Sequence, residues 1–495
     1  MIEHPGYIVG TIVAYMSVCL LLGYFAWRRT TNLADFILGG RSLGSWVTAL
    51  SGQATDMSGW LLMGLPGLAY ASGFDAVWMA GGLTVGTWAN WRFVAAPLRA
   101  RTEALENSLT LPDYFERRFD DRSRLLRTIT AMFILVFFIF YTSSGFVAAG
   151  KLFQTLFGIE YAWAMFWGSI VMLTYTFFGG FLAVSWSDVL QGSLMFIALV
   201  LVAVLGLALA GGVGETLSGI QARTPELLNP SIGDAGHALG AVGVISLLAW
   251  GLGYPGQPHV LARFMATKSP GHIVVARRVA MGWVITVLLA AIVVGVTGVL
   301  VLKQPLAGAD VEKVFILLST TFLHPVLAGV CLSGILAAVM STAAAQLLVA
   351  SSAFAQDIYK GLVRPRSEGK ELLWVGRLAV FTISVIAFLM ALNPQSKVLD
   401  LVAWAWAGFG SAFGPAIVLS LYWPRMTRNG ALAGMIVGGL TVILWKQGDG
   451  AIFQLYEMVP GVLFGTLAIV VVSALGARTR AGQHPQVVER IETQV

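Results

Sequence analysis

The chain consists largely of apolar runs that are long enough to cross a membrane. A helix needs about 20 apolar residues to span the hydrocarbon core of a bilayer. Of the 495 residues, 57% are hydrophobic and 11% are charged, and the mean hydropathy is +0.78, whereas soluble domains carry about 25% charged residues. The sequence therefore predicts an all-α polytopic membrane protein.

Apolar runs near the spanning length predict about 13 transmembrane helices. The ninth run is too long for one upright helix. We expect its last third, with Ser341, Thr342, Gln346 and Asp357, to extend past the membrane or bend out of it. The first run ends in Arg28-Arg29 and is interpreted as a permanent span, not as a cleaved signal peptide. The approximate ranges are 7–27, 45–70, 76–98, 128–150, 160–183, 188–212, 236–258, 277–302, 313–348, 372–392, 399–422, 428–446 and 452–476.

The basic residues predict how the chain is oriented. If the N-terminus lies outside, six of the 31 Lys and Arg residues fall in outer loops and 25 on the cytoplasmic side, as the positive-inside rule requires. The clusters at 99–127, 263–278 and 360–377 then share the cytoplasmic side, together with a short tail at 477–495. Because the net charge of +6 arises in these loops, nucleic acid is not expected as a partner. The six outer residues are Lys151, Arg223, Lys303, Lys313, Lys397 and Lys446.

The second predicted span contains an acidic residue, Asp56, in the stretch Leu-Ser-Gly-Gln-Ala-Thr-Asp-Met-Ser-Gly-Trp. An ionised side chain at the bilayer centre costs roughly 2.5 to 3.5 kcal/mol on insertion scales, so such acids tend to mark ion or substrate pathways. Gly52 and Gly59 flank Asp56 and weaken the helix. Carbonyl groups freed by a break can coordinate a cation where they line a buried site. The alternative is an Asp56 side chain that only hydrogen-bonds a neighbouring helix.

Residues 249–259 cannot form a regular helix, because three glycines and two prolines lie among these eleven positions. Inside a helix, proline costs about 3 kcal/mol and glycine about 1 kcal/mol. The seventh span is therefore predicted to be broken. Two interrupted helices five spans apart are typical of inverted repeats around a central binding site. A simple proline kink is the alternative.

The ninth span carries Ala338, Ser341 and Thr342 on one helical face. Uncharged oxygen ligands suit a monovalent cation that is held with modest affinity, although small and hydroxyl residues also promote ordinary helix packing. Asp188 lies between the fifth and sixth predicted spans. It is interpreted either as an ion contact on an exit path or as a helix N-cap.

Seven stretches spread over nearly the whole chain resemble the solute:sodium symporter family in order. The resemblance implies a LeuT-like core of two inverted five-helix repeats, at about 45–212 and 236–422, with one extra helix before and two after. It also implies a multi-pass protein of the bacterial cytoplasmic (inner) membrane. The stretches are Gly39-Gly-Arg-Ser-Leu-Gly44, Ala54-Thr-Asp-Met-Ser-Gly-Trp-Leu-Leu-Met-Gly64, Leu109-Thr-Leu-Pro-Asp-Tyr114, Gly179-Gly-Phe-Leu-Ala-Val-Ser-Trp186, Gly253-Tyr254 with Gln257-Pro-His259, Ala337-Ala-Val-Met-Ser-Thr342 and Met426-Thr-Arg-Asn-Gly430.

The Asp-Met-Ser-Gly-Trp and Gly-Gln-Pro-His stretches resemble the proline carriers of the family, so sodium-coupled uptake of L-proline by alternating access is expected. By matching position, co-transported sodium would be held by the carbonyls of Ala54, Met57 and Ala338 and the hydroxyls of Ser341 and Thr342. Asp56 would raise sodium affinity. The substrate would contact Trp60, Tyr141, Trp250, Tyr254, Gln257 and Pro258.

One departure from the family pattern bears on stoichiometry. Some members are expected to hold a second sodium with hydroxyls one turn beyond the Ser341 position and an acid at the Asp188 position. Here the residues one turn on are Ala344 and Ala345. One sodium per proline is therefore predicted.

The sequence leaves alternatives to proline symport open. The same machinery could carry another small solute, such as pantothenate or a different amino acid, and a channel or sensor is a more distant alternative. An enzyme is not expected, because no nucleophile, base and orienting group are clustered and no phosphate loop is present. Cys19 and Cys331 both fall in predicted spans, which argues against a disulfide framework. Beyond the lipid bilayer, sodium and proline, no obligatory protein partner is indicated.

Overall fold

The computed structural model describes residues 5–27, 37–178, 180–233, 236–367 and 370–477. The first half of this part contains helices α1 (Pro5–Trp27), α2 (Ser45–Asp56), α3 (Leu65–Ser72), α4 (Ala76–Ala89), α5 (Ala95–Ala104), α6 (Leu111–Arg118), α7 (Leu125–Phe157), α8 (Tyr161–Phe178), α9 (Phe181–Leu209) and α10 (Val213–Arg223). The second half contains α11 (Gly240–Leu248), α12 (Pro258–Ala266), α13 (His272–Val301), α14 (Val314–Phe322), α15 (Pro325–Ser352), α16 (Lys370–Met390), α17 (Val398–Tyr422), α18 (Arg428–Trp445) and α19 (Met458–Ala477).

The prediction of an all-α membrane protein is confirmed. Within the described ranges, eight helices are apolar and long enough to cross a membrane, and β-type pairing is limited to two isolated bridges. Each of the thirteen predicted ranges contains helix, although the number of spans and the bounds of the two repeats stay predictions. Residues 478–495, which make up nearly all of the predicted tail, lie outside the described residues.

The ninth predicted span has wrong limits. The range 313–348 covers the short helix α14 and most of α15, which are separated by extended backbone at Leu323 and His324. The His324 side chain accepts a hydrogen bond from the Val326 amide, and Pro325 occupies the first turn of α15, where proline is favoured because its missing amide is not needed. The excess length thus precedes α15. Ser341 and Thr342 lie in its regular, buried middle, whereas Asp357 belongs to the π-helical segment Ala353–Val363 that continues it.

Two contacts connect the three basic clusters, while their assignment to one side of the membrane stays a prediction. The Arg99 guanidinium donates to the Thr267 carbonyl oxygen, which joins the first cluster to the second. The Arg127 guanidinium lies 3.1 Å from the Asp357 carboxylate, beside Lys360 at the start of the third. These contacts make parts of the three clusters neighbours in the fold, although they lie far apart in sequence.

One residue of the orientation count is not in a loop. Lys151 lies within α7, is 2% exposed, and places its ammonium nitrogen 2.5 Å from a carboxylate oxygen of Glu312. The prediction of an outer-loop position for Lys151 is therefore wrong. The Glu312 carboxylate also accepts hydrogen bonds from the backbone amides of Val398 and Leu399, at 3.0 and 3.1 Å. The pair thus joins α7 to the first turn of α17, where a negative charge is favourable.

Removing Lys151 alone should destabilise the fold more than neutralising the whole pair. Breaking a buried ion pair leaves one charge uncompensated and costs about 3–5 kcal/mol. We expect K151M to lower the melting temperature of the purified protein. Adding E312Q should recover part of the loss, because the amide oxygen can still accept from the α17 amides. The control is K303M at an exposed lysine. A double variant no more stable than K151M would contradict this account.

Candidate functional site

The first helix break follows Asp56. Helix α2 ends there because Met57 adopts φ −88° and ψ 82°, outside the helical region. The chain then resumes as a π-helical segment, Trp60–Gly64, before α3. At the break, the Asp56 carbonyl accepts hydrogen bonds from the Tyr141 hydroxyl at 3.2 Å and the Trp60 indole at 3.3 Å. The prediction of a broken second span is confirmed.

The second helix break occupies residues 249–257. Residues Ala249–Gly256 form a 3-10 helix that contains Pro255, and the backbone is extended at Gln257 before α12 begins at Pro258. Proline supplies no amide for a continuous helix. Gly253 lies so close to Trp406 that an added Cβ would be 2.1 Å from the indole nitrogen. This predicted break is also confirmed, and the close contact explains why glycine occupies position 253.

Four of the candidate cation ligands, Ala54, Ala338, Ser341 and Thr342, converge between α2 and α15. The Ser341 hydroxyl donates to the Ala54 carbonyl at 2.6 Å and lies 3.1 Å from the Ala338 carbonyl. The Thr342 hydroxyl lies 3.5 Å from the same Ala54 oxygen. Met57, at the break itself, is fully buried. The structure therefore collects hydroxyl and carbonyl oxygens, the ligand type that hard cations prefer, from residues almost 300 positions apart.

The Asp56 side chain is fully buried, and neither carboxylate oxygen has a hydrogen-bond partner among the described residues. The Tyr254 side chain is its neighbour, although the two form no well-aligned hydrogen bond. A carboxylate without a partner inside a membrane protein is costly, and such groups normally pair with an opposite charge. An orphaned carboxylate one residue from the freed carbonyls fits a site that receives a cation.

The candidate substrate contacts form an aromatic cluster between the two breaks. The ring centroids of Trp60 and Trp250 are 6.3 Å apart. The Tyr141 hydroxyl and the Trp60 indole both donate to the Asp56 carbonyl. The Tyr254 side chain is a neighbour of the Asp56 carboxylate. Gln257 is buried, with its amide donating to the carbonyls of Gly253 and Trp406 at 3.0 and 3.2 Å, and Pro258 begins α12 beside it. The structure therefore brings the predicted substrate residues from three separate segments together.

The sequence reasoning missed several residues of this cluster. Trp406 of α17 donates its indole N–H to the Trp250 carbonyl at 2.8 Å and packs edge-on against Tyr254 at 5.0 Å. Tyr456 stacks on Trp250 at 5.7 Å. Nothing in their local sequence distinguishes Trp406 and Tyr456 from membrane-facing aromatics. His259 does have a local signal, because it belongs to the family-like stretch Gln257-Pro-His259. It is fully buried and packs edge-on against the Tyr141 ring at 5.8 Å.

Asp188 does not cap a helix. It is the eighth residue of α9, which begins at Phe181, so the N-cap interpretation is wrong. The fully buried carboxylate accepts a hydrogen bond from the Ser51 hydroxyl at 2.6 Å and lies 3.4 Å from the Arg263 guanidinium, which itself donates to Ser51 at 3.2 Å. Asp188 is thus engaged in an ion pair that joins α9, α2 and α12. Its suggested role on a sodium exit path stays a prediction.

Comparison with known proteins places the chain in a family. A model of the sodium:solute symporter family matches residues 36–438. The chain belongs to the sodium:solute symporter family. The sodium/proline symporter of Escherichia coli is 50% identical over 484 residues, covering 97% of this chain and 95% of that protein. The osmoregulated proline transporter OpuE of Bacillus subtilis is 46% identical, covering 95% of each. The predicted resemblance to this family is confirmed.

Solved structures support the fold of this symporter. A sodium-coupled sialic acid symporter in a substrate-bound, outward-open state superposes with a TM-score of 0.77 at 21% identity, covering 95% of this chain and 98% of that one. A nucleobase-cation-symport-1 family transporter gives a TM-score of 0.58 at 14% identity, with 91% and 96% coverage. The LeuT-like fold class predicted from the sequence is confirmed.

Replacing Gly253 with alanine should disturb the aromatic cluster. The added Cβ would displace the Trp406 indole and break its hydrogen bond to Trp250, and such overpacking costs about 1–3 kcal/mol. We expect G253A to reduce transport strongly and to lower the melting temperature. Transport by purified, reconstituted protein is the measurement. Gly282 has open space around it, so G282A serves as the control. Equal transport by the two variants would show that the close contact is unimportant.

Proposed function

We propose that this symporter accumulates L-proline by coupling its uptake to the inward movement of sodium, through alternating access and without a chemical reaction. The observation that carries the proposal is the meeting of the two helix breaks, which combine freed oxygens, an unpartnered carboxylate and an aromatic cluster in one buried region. Relatives that match nearly the whole chain, including the E. coli protein, are named sodium/proline symporters, and this supports proline as the solute.

Sodium would be held by the Ala54, Met57 and Ala338 carbonyls and the Ser341 and Thr342 hydroxyls. Ser341 now donates to Ala54 at 2.6 Å, so an ion between them would replace this hydrogen bond and the hydroxyl would turn its lone pairs inward. No ligand in this set carries a full charge. The buried Asp56 carboxylate would supply the compensating charge through space and so raise affinity without direct contact.

The substrate would lie against the aromatic cluster. Proline has a compact apolar ring that can pack against Trp60, Tyr141, Trp250 and Tyr254, since aromatic faces bury large apolar areas. Its zwitterionic head needs polar partners. The interrupted helices expose backbone amides and carbonyls near Gln257 and Pro258, and a helix N-terminus such as that of α12 favours a carboxylate.

Coupling follows from the position of the sodium ligands. Ala54 and Met57 belong to the broken span, whereas Ala338, Ser341 and Thr342 belong to the continuous helix α15. An ion shared by both would fix the end of α2 relative to α15. This end carries the Asp56 carbonyl of the substrate region, to which the Trp60 indole of the following segment donates. If sodium and proline favour the same arrangement, each must raise the affinity of the other by the same factor.

The proposed stoichiometry is one sodium per proline. Ala344 and Ala345 are fully buried and provide no side-chain oxygen. The acid that could serve a second ion, Asp188, already has the fully buried Arg263 guanidinium as its counter-charge. A second cation at Asp188 would therefore have to displace a fixed positive charge.

We also propose a bacterial cytoplasmic membrane location with the N-terminus outside. The contacts among the three basic clusters support a single basic face, and the positive-inside rule assigns such a face to the cytoplasm.

The Ser341 hydroxyl should matter specifically for sodium. Hydrogen bonds and ligand contacts to charged groups contribute about 1.5–3 kcal/mol, so we expect S341A to raise the half-saturating sodium concentration by about 10-fold or more. Proline uptake measured across a sodium series tests this. Ser333 lies on the same helix and its hydroxyl donates within that helix, to the Gly329 carbonyl, so S333A is the matched control. A normal sodium dependence in S341A would remove Ser341 from the ion site.

Separate imposition of the driving forces tests the whole proposal. In proteoliposomes, we expect an inward sodium gradient to drive labelled proline accumulation and a proton gradient alone to drive none. An inside-negative potential should add to the accumulation, since each charge moved contributes about 2.3 kcal/mol per 100 mV. Pantothenate and other amino acids at excess should not compete. Accumulation with sodium absent from both sides would refute sodium coupling, and two sodium ions per proline would refute the proposed stoichiometry.

A further inference from the structure

A charged vestibule lies on the basic face of the molecule. It is a cavity of about 240 Å³, many times the roughly 10–15 Å³ that one water requires. Helix α6, the start of α7 and the π-helical segment after α15 form its walls. Its charged lining residues are Asp113, Arg117, Arg124, Arg127, Asp357 and Lys360.

A narrower cavity adjoins both the vestibule and Pro258 of the candidate substrate site. This cavity, of about 30 Å³, is lined by Pro258 and Ala262 of α12 and by Ile37, Leu109 and Thr110. The same three residues, Ile37, Leu109 and Thr110, also line the vestibule. The two cavities are therefore neighbours that share a wall, and the narrower one reaches a candidate substrate residue.

Most of the charges in the vestibule are already paired. The Arg127 guanidinium lies 2.5 Å from the Asp113 carboxylate and 3.1 Å from one oxygen of Asp357, Oδ1. Arg117 also binds Asp113, at 2.8 Å. Thr110 donates to the same Asp357 oxygen at 3.3 Å. These contacts fix the acidic side of the vestibule and occupy only one of the two Asp357 oxygens.

Groups of both signs remain available around the cavity. The second Asp357 oxygen, Oδ2, has no hydrogen-bond partner within the described ranges, although the residue is 1% exposed. Lys360 is half-buried and has no ion pair in the described part of the chain. The Arg124 guanidinium donates to the Gly361 carbonyl and lies near Glu116, whose carboxylate is itself ion-paired with Arg127 at 2.9 Å. A buried acceptor without a donor, in the same cavity as two cations that form no ion pair among the described residues, is complementary to a small zwitterion.

We propose that this vestibule is an exit subsite for a small zwitterionic amino or imino acid. The Asp357 Oδ2 atom accepts the substrate ammonium, and Lys360 and Arg124 bind its carboxylate. The inference rests on the proposed function, in which the substrate is such a zwitterion and the basic face is cytoplasmic. The subsite receives the substrate after it leaves the aromatic cluster past Pro258, and holds it before release.

The subsite predicts a difference between the two faces of the membrane. Substrate entering from the cytoplasm meets the vestibule first, whereas substrate from outside meets the aromatic cluster first. With equal sodium on both sides and no membrane potential, a carrier must have the same ratio of maximal rate to half-saturating concentration in both directions. Loss of a subsite that stabilises only the bound substrate, and not the transition to the other face, should therefore raise both quantities together at the cytoplasmic face.

Two variants test the subsite independently. D357N removes the charge, while its amide oxygen can still accept from Arg127 and Thr110. K360Q removes a cation that has no structural pair. In inside-out membrane vesicles, we expect each to raise the half-saturating proline concentration about three- to tenfold, as loss of a partly exposed charge pair does, with a higher maximal rate. In right-side-out vesicles, the half-saturating concentration should stay within about twofold of the parent value.

Matched controls are D120N and K268Q, at exposed residues on the same face but outside the vestibule. An unchanged half-saturating concentration in inside-out vesicles for K360Q would overturn the proposal, and so would an equal rise at both faces. A lower maximal rate in both variants would instead assign these residues to a structural network and also overturn it. The proposed function would still stand after any of these outcomes, provided that sodium-driven proline uptake in right-side-out vesicles is normal. If the parent protein showed no such uptake, the proposed function itself would be refuted.

Discussion

The contact between the Ser341 hydroxyl and the Ala54 carbonyl is the interaction on which the site depends. A helix that stops at membrane depth leaves carbonyl groups that lipid cannot satisfy. Ser341 satisfies the Ala54 carbonyl from a different helix, at 2.6 Å, so α15 supports the end of the broken span. In the proposed sodium site, the same oxygens would face the ion. Structural support and ion binding would then use the same atoms and exclude each other at any moment.

The surrounding helices keep both breaks open by close packing. Gly253 allows the Trp406 indole to reach the Trp250 carbonyl, and an added Cβ there would lie 2.1 Å from the indole nitrogen. At the first break, a Cβ on Gly59 would lie 2.9 Å from Ala148 of α7. Protein interiors are packed too densely to absorb such atoms without displacement. The glycines thus weaken the helices locally. They also let neighbouring helices come close enough to hydrogen-bond the backbone carbonyls that the breaks leave unpaired.

The sequence predicted the features that depend on short segments. Glycine and proline placed the breaks near Asp56 and at 249–259, because these residues disturb a helix wherever they occur. Contacts between distant segments could not be read in this way. Asp188 and Arg263 are 75 positions apart and Lys151 and Glu312 are 161 apart, and Lys151, Arg263 and Glu312 all fall outside the predicted spans, so no local signal marked them as buried. The limits of the ninth span were wrong for a related reason, since hydropathy does not detect the extended turn before Pro325.

The buried charges of this symporter fall into two classes with different consequences. Asp188 and Glu312 each have a basic partner supplied by the protein, so removing that partner would strand a charge, at about 3–5 kcal/mol. Asp56 has no such partner among the described residues. A carboxylate that the fold already neutralises gains little from an arriving cation, whereas one left unpartnered can repay its burial only when the cation is present. The sequence position of an acid within a span does not distinguish these classes. The partner does, and under the proposed function the missing partner of Asp56 would let sodium stabilise one arrangement of the broken helix over another.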